Sequence, residues 1–203
     1  VTNPPIDPFR ERIVMSLQCP IGPEANILQP SPIQVHRLWL NHPILSIDDI
    51  EILKKTKHRN WSCHVIDTTF PVSEGAAGLT NALNRICDEA FQASFKHQLI
   101  VLSDRNAGPD RVPVSSLLTL GATHHHLIET RHRMKVALIV ESGEAREVHH
   151  ICVLLGYGAD AICPYLAFEL AASLRGDGTI DASLSDEIIF QNYAYAMQTG
   201  IAK

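Results

Sequence analysis

Two places in this chain combine acids, hydroxyls and arginines in a way that could do chemistry. Asp104-Arg105-Asn106 follows the apolar run Leu99 to Leu102, and Glu141-Ser142-Gly143-Glu144 follows the apolar run Val136 to Val140. Both runs read as buried strands, and α/β proteins place their reactive groups at the carboxyl ends of such strands. Charged residues at these points, Asp104, Arg105 and Glu141 with the hydroxyl of Ser142, could clamp a small polar ligand. A structural reading competes: Asp104, Arg105, Asp110 and Arg111 pair with one another within one loop and at a helix terminus. Exposed pairs of that kind contribute only about 0–1 kcal/mol each, which is a weak reason for four of them.

Other candidates are weaker. Ser142 does not sit in a nucleophile elbow, which needs glycine two positions to each side; Val140 occupies one of them. Glu144 and Glu147 are expected in the first turn of a helix, where acids suit the positive end and repel phosphate. His124-His125-His126 lies within a helical pattern, and consecutive residues point about 100° apart, so the three cannot converge on one metal. Glu147 and His150 have i, i+3 spacing, but no second Glu-x-x-His accompanies them. No metal site is expected. Gly156-Tyr157-Gly158 resembles part of a dinucleotide motif, yet it closes a helix and precedes a strand, the reverse of what that motif requires.

The elements that would position these residues alternate regularly. Strands are expected at Cys63 to Asp67, Leu99 to Leu102, Val136 to Val140 and Ala161 to Cys163. Helices are expected at Leu79 to Phe95, Val114 to Arg131, Glu144 to Leu155 and Phe168 to Leu174. The strands are apolar throughout, as parallel strands buried on both faces are. Asp110 to Pro113 is expected to open the helix that follows it. The fold class predicted is α/β: a partial, half-barrel-like βα repeat with parallel strands, preceded by a proline-rich irregular arm with short helices.

The organisation read from this is an arm over 1–60, four βα units over 61–176, and a linker with a final helix over 177–203. Within the arm, Asp7-Pro8 should open a helix over 9–17, Ser31-Pro32 a short turn, and Ser46-Ile47-Asp48-Asp49 a capped helix reaching about Lys55. Ser185-Asp186 should cap the last helix, with Ile188, Ile189, Tyr193 and Met197 on its apolar side.

Composition narrows the function classes. The chain has 203 residues, 45% hydrophobic and 19% charged, with a net charge of −5. That balance argues against nucleic acid or an anionic membrane as a main partner. No run of 18 apolar residues is present, so no membrane span is expected, and no secretory leader is legible. Five scattered cysteines without a CxxC point to an intracellular, reducing compartment. A first residue other than Met, and a helix running almost to Lys203, suggest a piece of a longer polypeptide.

Several blocks carry a family resemblance. They are Val1-Thr2-Asn3-Pro4-Pro5-Ile6-Asp7-Pro8-Phe9-Arg10-Glu11, Gly22 to Leu28, Leu102-Ser103-Asp104-Arg105, Gly121 to Leu127, the run ESGEAREVHH from Glu141, and LLGYGADAICPYLA from Leu154. In this order they resemble the central domain of the glutamate synthase large chain, across nearly all of the chain. The resemblance implies a multidomain enzyme that makes glutamate from glutamine-derived ammonia and 2-oxoglutarate. It implies an amidotransferase domain with a terminal cysteine on one side, and an FMN-binding barrel with an iron–sulfur cluster on the other. The central domain would join these two partners, carry no cofactor of its own, and wall the ammonia tunnel between them. Thr2 and Asn3, in the block that resembles the segment near the tunnel, become tunnel-lining candidates; the bland alternative is that they only fix the turn before Pro4. No catalytic residue of the family maps onto this chain. The rival reading is an independent α/β ligand-binding domain or enzyme using Asp104, Arg105, Glu141 and Ser142.

Overall fold

The runs CHVID, LIVLS, ALIVE and AIC are rich in β-branched and leucine side chains, which suit a pleated surface covered on both sides. In the computed structural model, which describes residues 13–203, they assemble into one parallel sheet. In chain order the elements are β1 (Cys19–Ile21), β2 (Leu38–Leu40), α1 (Ile47–Lys54), β3 (Cys63–Asp67), β4 (Thr69–Pro71), α2 (Gly75–Ala93), β5 (Leu99–Ser103), β6 (Arg111–Pro113), α3 (Ser116–Glu129), β7 (Ala137–Glu141), α4 (Val148–Gly156), β8 (Ala161–Cys163), α5 (Tyr165–Ser173) and α6 (Asp186–Ile201). The sheet order is β3-β5-β7-β8, so each strand lies beside the next in sequence and the order never reverses. That is the order of a barrel segment, and it matches the predicted partial βα repeat.

Period-two alternation divides the sheet's side chains between two cores. Ile66, Ile100, Leu102, Leu138, Val140 and Ile162 meet the helices, including Ala82, Ile86 and Ala90 of α2 and Leu120 and Leu127 of α3. Leu99, Val101, Ala137, Ile139 and Ala161 point the other way, where a closed barrel would keep its interior. Ile21, Leu45, Ile50 and Leu53 cover them, together with Trp61. The proline-rich segment therefore supplies the second face of the sheet. It also pairs the outer edge of β8: Ile162 N–H donates to Pro43 O at 2.8 Å and Leu45 N–H donates to Ile162 O at 2.8 Å. An edge that would otherwise expose backbone groups is closed this way.

The cap of α1 forms as expected. Ser46 Oγ accepts from Asp49 N–H at 3.1 Å, and Asp49 Oδ2 accepts from Ser46 N–H at 3.0 Å. Pro32–Val35 forms the expected short turn, as one turn of 3₁₀ helix, and Ser185 caps α6. Residues up to 12 of the helix predicted over 9–17 lie outside the described residues; 13 and 14 are helical and 15–17 are not.

Three expectations are corrected. Asp110 to Pro113 does not open a helix; Arg111–Pro113 pairs antiparallel with β4, and α3 starts at Ser116. Pro113 holds Val112 extended, and Arg111 is tied to β4 through Thr69 Oγ1 at 2.7 Å and Thr69 O at 3.0 Å. The helix expected from Glu144 begins only at Val148. The reason is local: Glu144 N–H donates to Ser142 Oγ at 2.9 Å, which folds the segment into a loop. On α6, Ile188 is exposed while Ile189 and Ala194 are buried. Among the described residues, no helix is long and apolar enough to cross a membrane.

Candidate functional site

The parallel register sets Ser103 of β5 opposite Glu141 of β7, and Glu141 opposite Cys163 of β8. All three end their strands, and all belong to the set alternating with Val101, Ile139 and Ala161, on the face that the arm covers. Glu141 is therefore a carboxylate in the last layer of an apolar core, with its side chain fully shielded. Burying such a charge is tolerable only with full compensation. Ser103 Oγ–H donates to it at 2.6 Å, Arg105 Nε–H at 3.0 Å and Lys54 Nζ at 2.9 Å. Lys54 comes from the last turn of α1 and also binds Glu51 at 2.8 Å. Burial works against its ammonium, but the two carboxylates outweigh this and hold its pKa above the usual lysine value.

Arg105 spans the cluster. Its guanidinium lies 4.1 Å from the ring centre of Tyr165, a stacking that stabilises by roughly 0.5–2 kcal/mol. Its outer nitrogen reaches Glu169 at 3.0 Å.

Asp104 and Ser142 form the other half. The Asp104 carboxylate accepts from Gly143 N–H at 2.8 and 3.0 Å and from Ser142 Oγ–H at 3.4 Å. Ser142 Oγ lies 2.6 Å from Ser116 Oγ, at the start of α3. Burial raises the Asp104 pKa, and the Gly143 amide only partly offsets it. The Tyr165 hydroxyl is pushed well above the usual tyrosine value, first by burial and then by Asp104 beside it.

The structure thus brings Asp104, Arg105, Glu141 and Ser142 into one continuous cluster. It does not pair Asp104 with Arg105, or Asp110 with Arg111, as the structural reading expected. Arg105 goes to Glu141 and Glu169, while Arg111 goes to Asp67 at 3.0 Å. Thr2 and Asn3 lie outside the described residues. Glu144 does serve a helix N-terminus, but that of α3: its carboxylate accepts from Ser116 N–H at 2.7 Å.

Lys54, Tyr165 and Glu169 were not among the candidates read from sequence. Tyr165 follows β8 by two residues and obeys the same strand-end rule that selected Asp104 and Glu141. Lys54 has no such signal, because it comes from the arm.

Of the adjacent histidines, His124 and His150 accept hydrogen bonds, whereas His125 and His149 are exposed. His124 Nδ1 accepts from Arg133 Nε–H at 3.0 Å. The same ring fills the space above Gly158, whose φ is 109° and where a Cβ would collide with the His124 imidazole. Among the described residues, no three His, Cys, Asp or Glu side chains are placed to hold a metal.

What this arrangement can do chemically is limited by how far it is already satisfied. The acid that resembles a general base is saturated by three donors, and the serine is committed to Asp104, Ser116 and the loop amide of Glu144. The cluster locks the loops after β5, β7 and β8 to the arm.

Comparison with known proteins agrees with the residue blocks. The family model described as glutamate synthase central domain matches residues 1–203. The NADH glutamate synthase of Schizosaccharomyces pombe is 48% identical over the whole of this chain. The NADPH glutamate synthase large chain of Bacillus subtilis is 38% identical, and a ferredoxin-dependent glutamate synthase of Arabidopsis thaliana 35%, both again over the whole chain. The chain spans only 10% of the first of these relatives and 13% of the other two. Among solved structures, a mutant flavocytochrome b2 with benzoylformate shares 18% identity over 76% of this chain and 34% of its own, at a TM-score of 0.46, which adds nothing to the fold described above. With the family model and three relatives all spanning its full length, the chain belongs to the glutamate synthase central domain family.

Proposed function

We propose that this chain is the connecting domain of a complete glutamate synthase polypeptide, set between an amidotransferase domain that releases ammonia from glutamine and an FMN-binding domain that uses it with 2-oxoglutarate. Its role is to hold the two sites at a fixed spacing and to contribute wall to the ammonia tunnel between them, in a reducing intracellular compartment. FMN and the iron–sulfur cluster belong to the rest of the polypeptide. The observation that carries this reading is the state of the strand-end cluster. Glu141, at the catalytic end of a barrel-like sheet, is fully buried and held by Lys54, Arg105 and Ser103, which makes the position a brace between loops and arm. Relatives named for NADH, NADPH and ferredoxin all match over this whole chain, so the reading does not depend on the electron donor.

Thr2 and Asn3 are proposed to line the tunnel, where small polar side chains pass ammonia along by hydrogen bonds without trapping it. The test is uncoupling in the full-length enzyme. Thr2→Val with Asn3→Leu should leave glutaminase turnover intact, lower glutamine-dependent glutamate formation several-fold, and release free ammonia. Glutamate formation from added ammonium salts should be unchanged. If glutamine consumption and glutamate formation stay matched in the variant, the tunnel role of these two residues is wrong.

A further inference from the structure

A groove of about 900 Å³ runs between the start of α1 and the length of α6. Its floor is apolar: Ile44, Phe168 and Ala194 are buried there, and Phe190 packs on Phe168 with ring centres 5.0 Å apart. Its rim is acidic on both walls, with Asp48 and Asp49 from α1 and Asp186 and Glu187 from α6, and among the described residues no lysine or arginine lines it. Helix capping explains part of this. Each helix N-terminus carries about half a positive charge, and Arg175 neutralises Asp186 at 2.6 Å, which leaves roughly two negative charges uncompensated across an apolar trough. The ligand chemistry is not a metal ion, since no three donor side chains among the described residues converge on one. An open trough with aromatic floor and charged rims matches the way amphipathic segments dock, apolar side chains down and charges to the edges.

We infer that this groove docks a basic amphipathic segment of the same larger polypeptide, with apolar side chains on Phe168 and Phe190 and a lysine or arginine between Asp48 and Glu187. The inference rests on the reading of the chain as one domain of a longer protein, since it spans about a tenth of the first relative's length and the segment must come from the remainder.

The experiment uses the full-length polypeptide. Hydrogen exchange is followed over residues 190–198 of α6 in the native protein, in Asp48→Lys with Glu187→Lys, and in the milder Asp48→Asn with Glu187→Gln. Zero-length carboxyl–amine cross-linking is run on an equal mixture of isotopically light and heavy protein. Protection of 190–198 should fall about tenfold or more in the charge-reversed variant and less in the neutral one, with β7 exchange unchanged as the folding control. Any cross-links from Asp48 or Glu187 should reach residues beyond this chain within one copy. Equal exchange in all three proteins overturns the inference, and so do cross-links between light and heavy copies, which would make the occupant a second molecule. A native product of only about 22.4 kDa would sink the larger-polypeptide reading itself; a larger product with an unprotected groove would sink only the docking.

Discussion

At the scale of single residues, the histidines show how tautomers are imposed by neighbours. Lys135 Nζ lies 3.0 Å from His132 Nε2, and a lysine can only donate, so Nε2 must accept and Nδ1 must carry the proton. Nδ1–H then donates to Ser94 Oγ, whose own proton goes to Phe91 O at 2.6 Å. His124 is held neutral in the same way, since its Nδ1 accepts from Arg133. Burial first, then the neighbouring cation, lowers the pKa of both rings below the usual histidine value. A group with a lowered folded pKa binds its proton more readily when unfolded. Its stabilisation is full above about pH 6.5 and is lost as pH falls below that value. Thermal unfolding of the chain should therefore be flat from pH 8 to 7 and shift to lower temperature between pH 6.5 and 5. His124→Gln keeps an acceptor for Arg133 but does not titrate, so it should flatten this acid limb. An acid limb as steep in His124→Gln as in the native chain would show that His124 is not a source of it.

At the scale of elements, α1 meets the parallel sheet through the apolar Ile50 and Leu53 and through a buried ion pair. Lys54 and Glu141 are 87 positions apart in the chain. Lys54→Met removes one of three donors from a fully buried carboxylate and should cost about 2–4 kcal/mol in urea denaturation, because the charge left behind is under-compensated. Adding Glu141→Gln to Lys54→Met should cost less than the sum of the two single changes, since the amide no longer needs the ammonium. Strict additivity would mean the two side chains do not interact. This pair also marks where sequence reasoning stops. The four strands were legible because short apolar β-branched runs between polar turns carry a local signal, and α1 was legible from Ser46 with Asp49 three positions on. Asp104, Arg105, Glu141 and Ser142 were found because the strand-end rule is positional. That Lys54 would close over Glu141 was not legible, since nothing local in the arm specifies which strand end it reaches. The β4–β6 ribbon escaped for a related reason: three residues per strand are too few to show a period. Glu144 was read correctly as an acid for a helix N-terminus but assigned to its own helix, because the Ser142 turn that delays α4 is set by tertiary contacts with Asp104 and Ser116.

At the scale of the whole molecule, the question is how half of a barrel remains a folded unit. A closed eight-stranded barrel fills its interior with side chains from opposing strands. Here β5, β7 and β8 present Leu99, Val101, Ala137, Ile139 and Ala161 to that side with no opposing strands among the described residues, and Ile21, Leu45, Ile50 and Leu53 take their place. Burial of a side chain the size of leucine, isoleucine or valine stabilises by about 1.5–3 kcal/mol. Three such side chains on the sheet and four on the arm together contribute roughly 10–21 kcal/mol, as much as the whole margin by which ordinary domains are stable, about 5–15 kcal/mol. The arm is then part of the fold rather than an attachment to it, despite a composition that breaks sharply near residue 60. Deleting residues 1–60 should leave a chain that keeps far-ultraviolet helix signal from α2, α3 and α4, whose own core on the opposite face is intact. The same chain should lose cooperative unfolding and bind a hydrophobic dye strongly, because one face of its sheet is bare. A truncated chain that unfolds in a single sharp transition without binding dye would show that the four βα units suffice by themselves, and that the arm's apolar residues answer to some other demand.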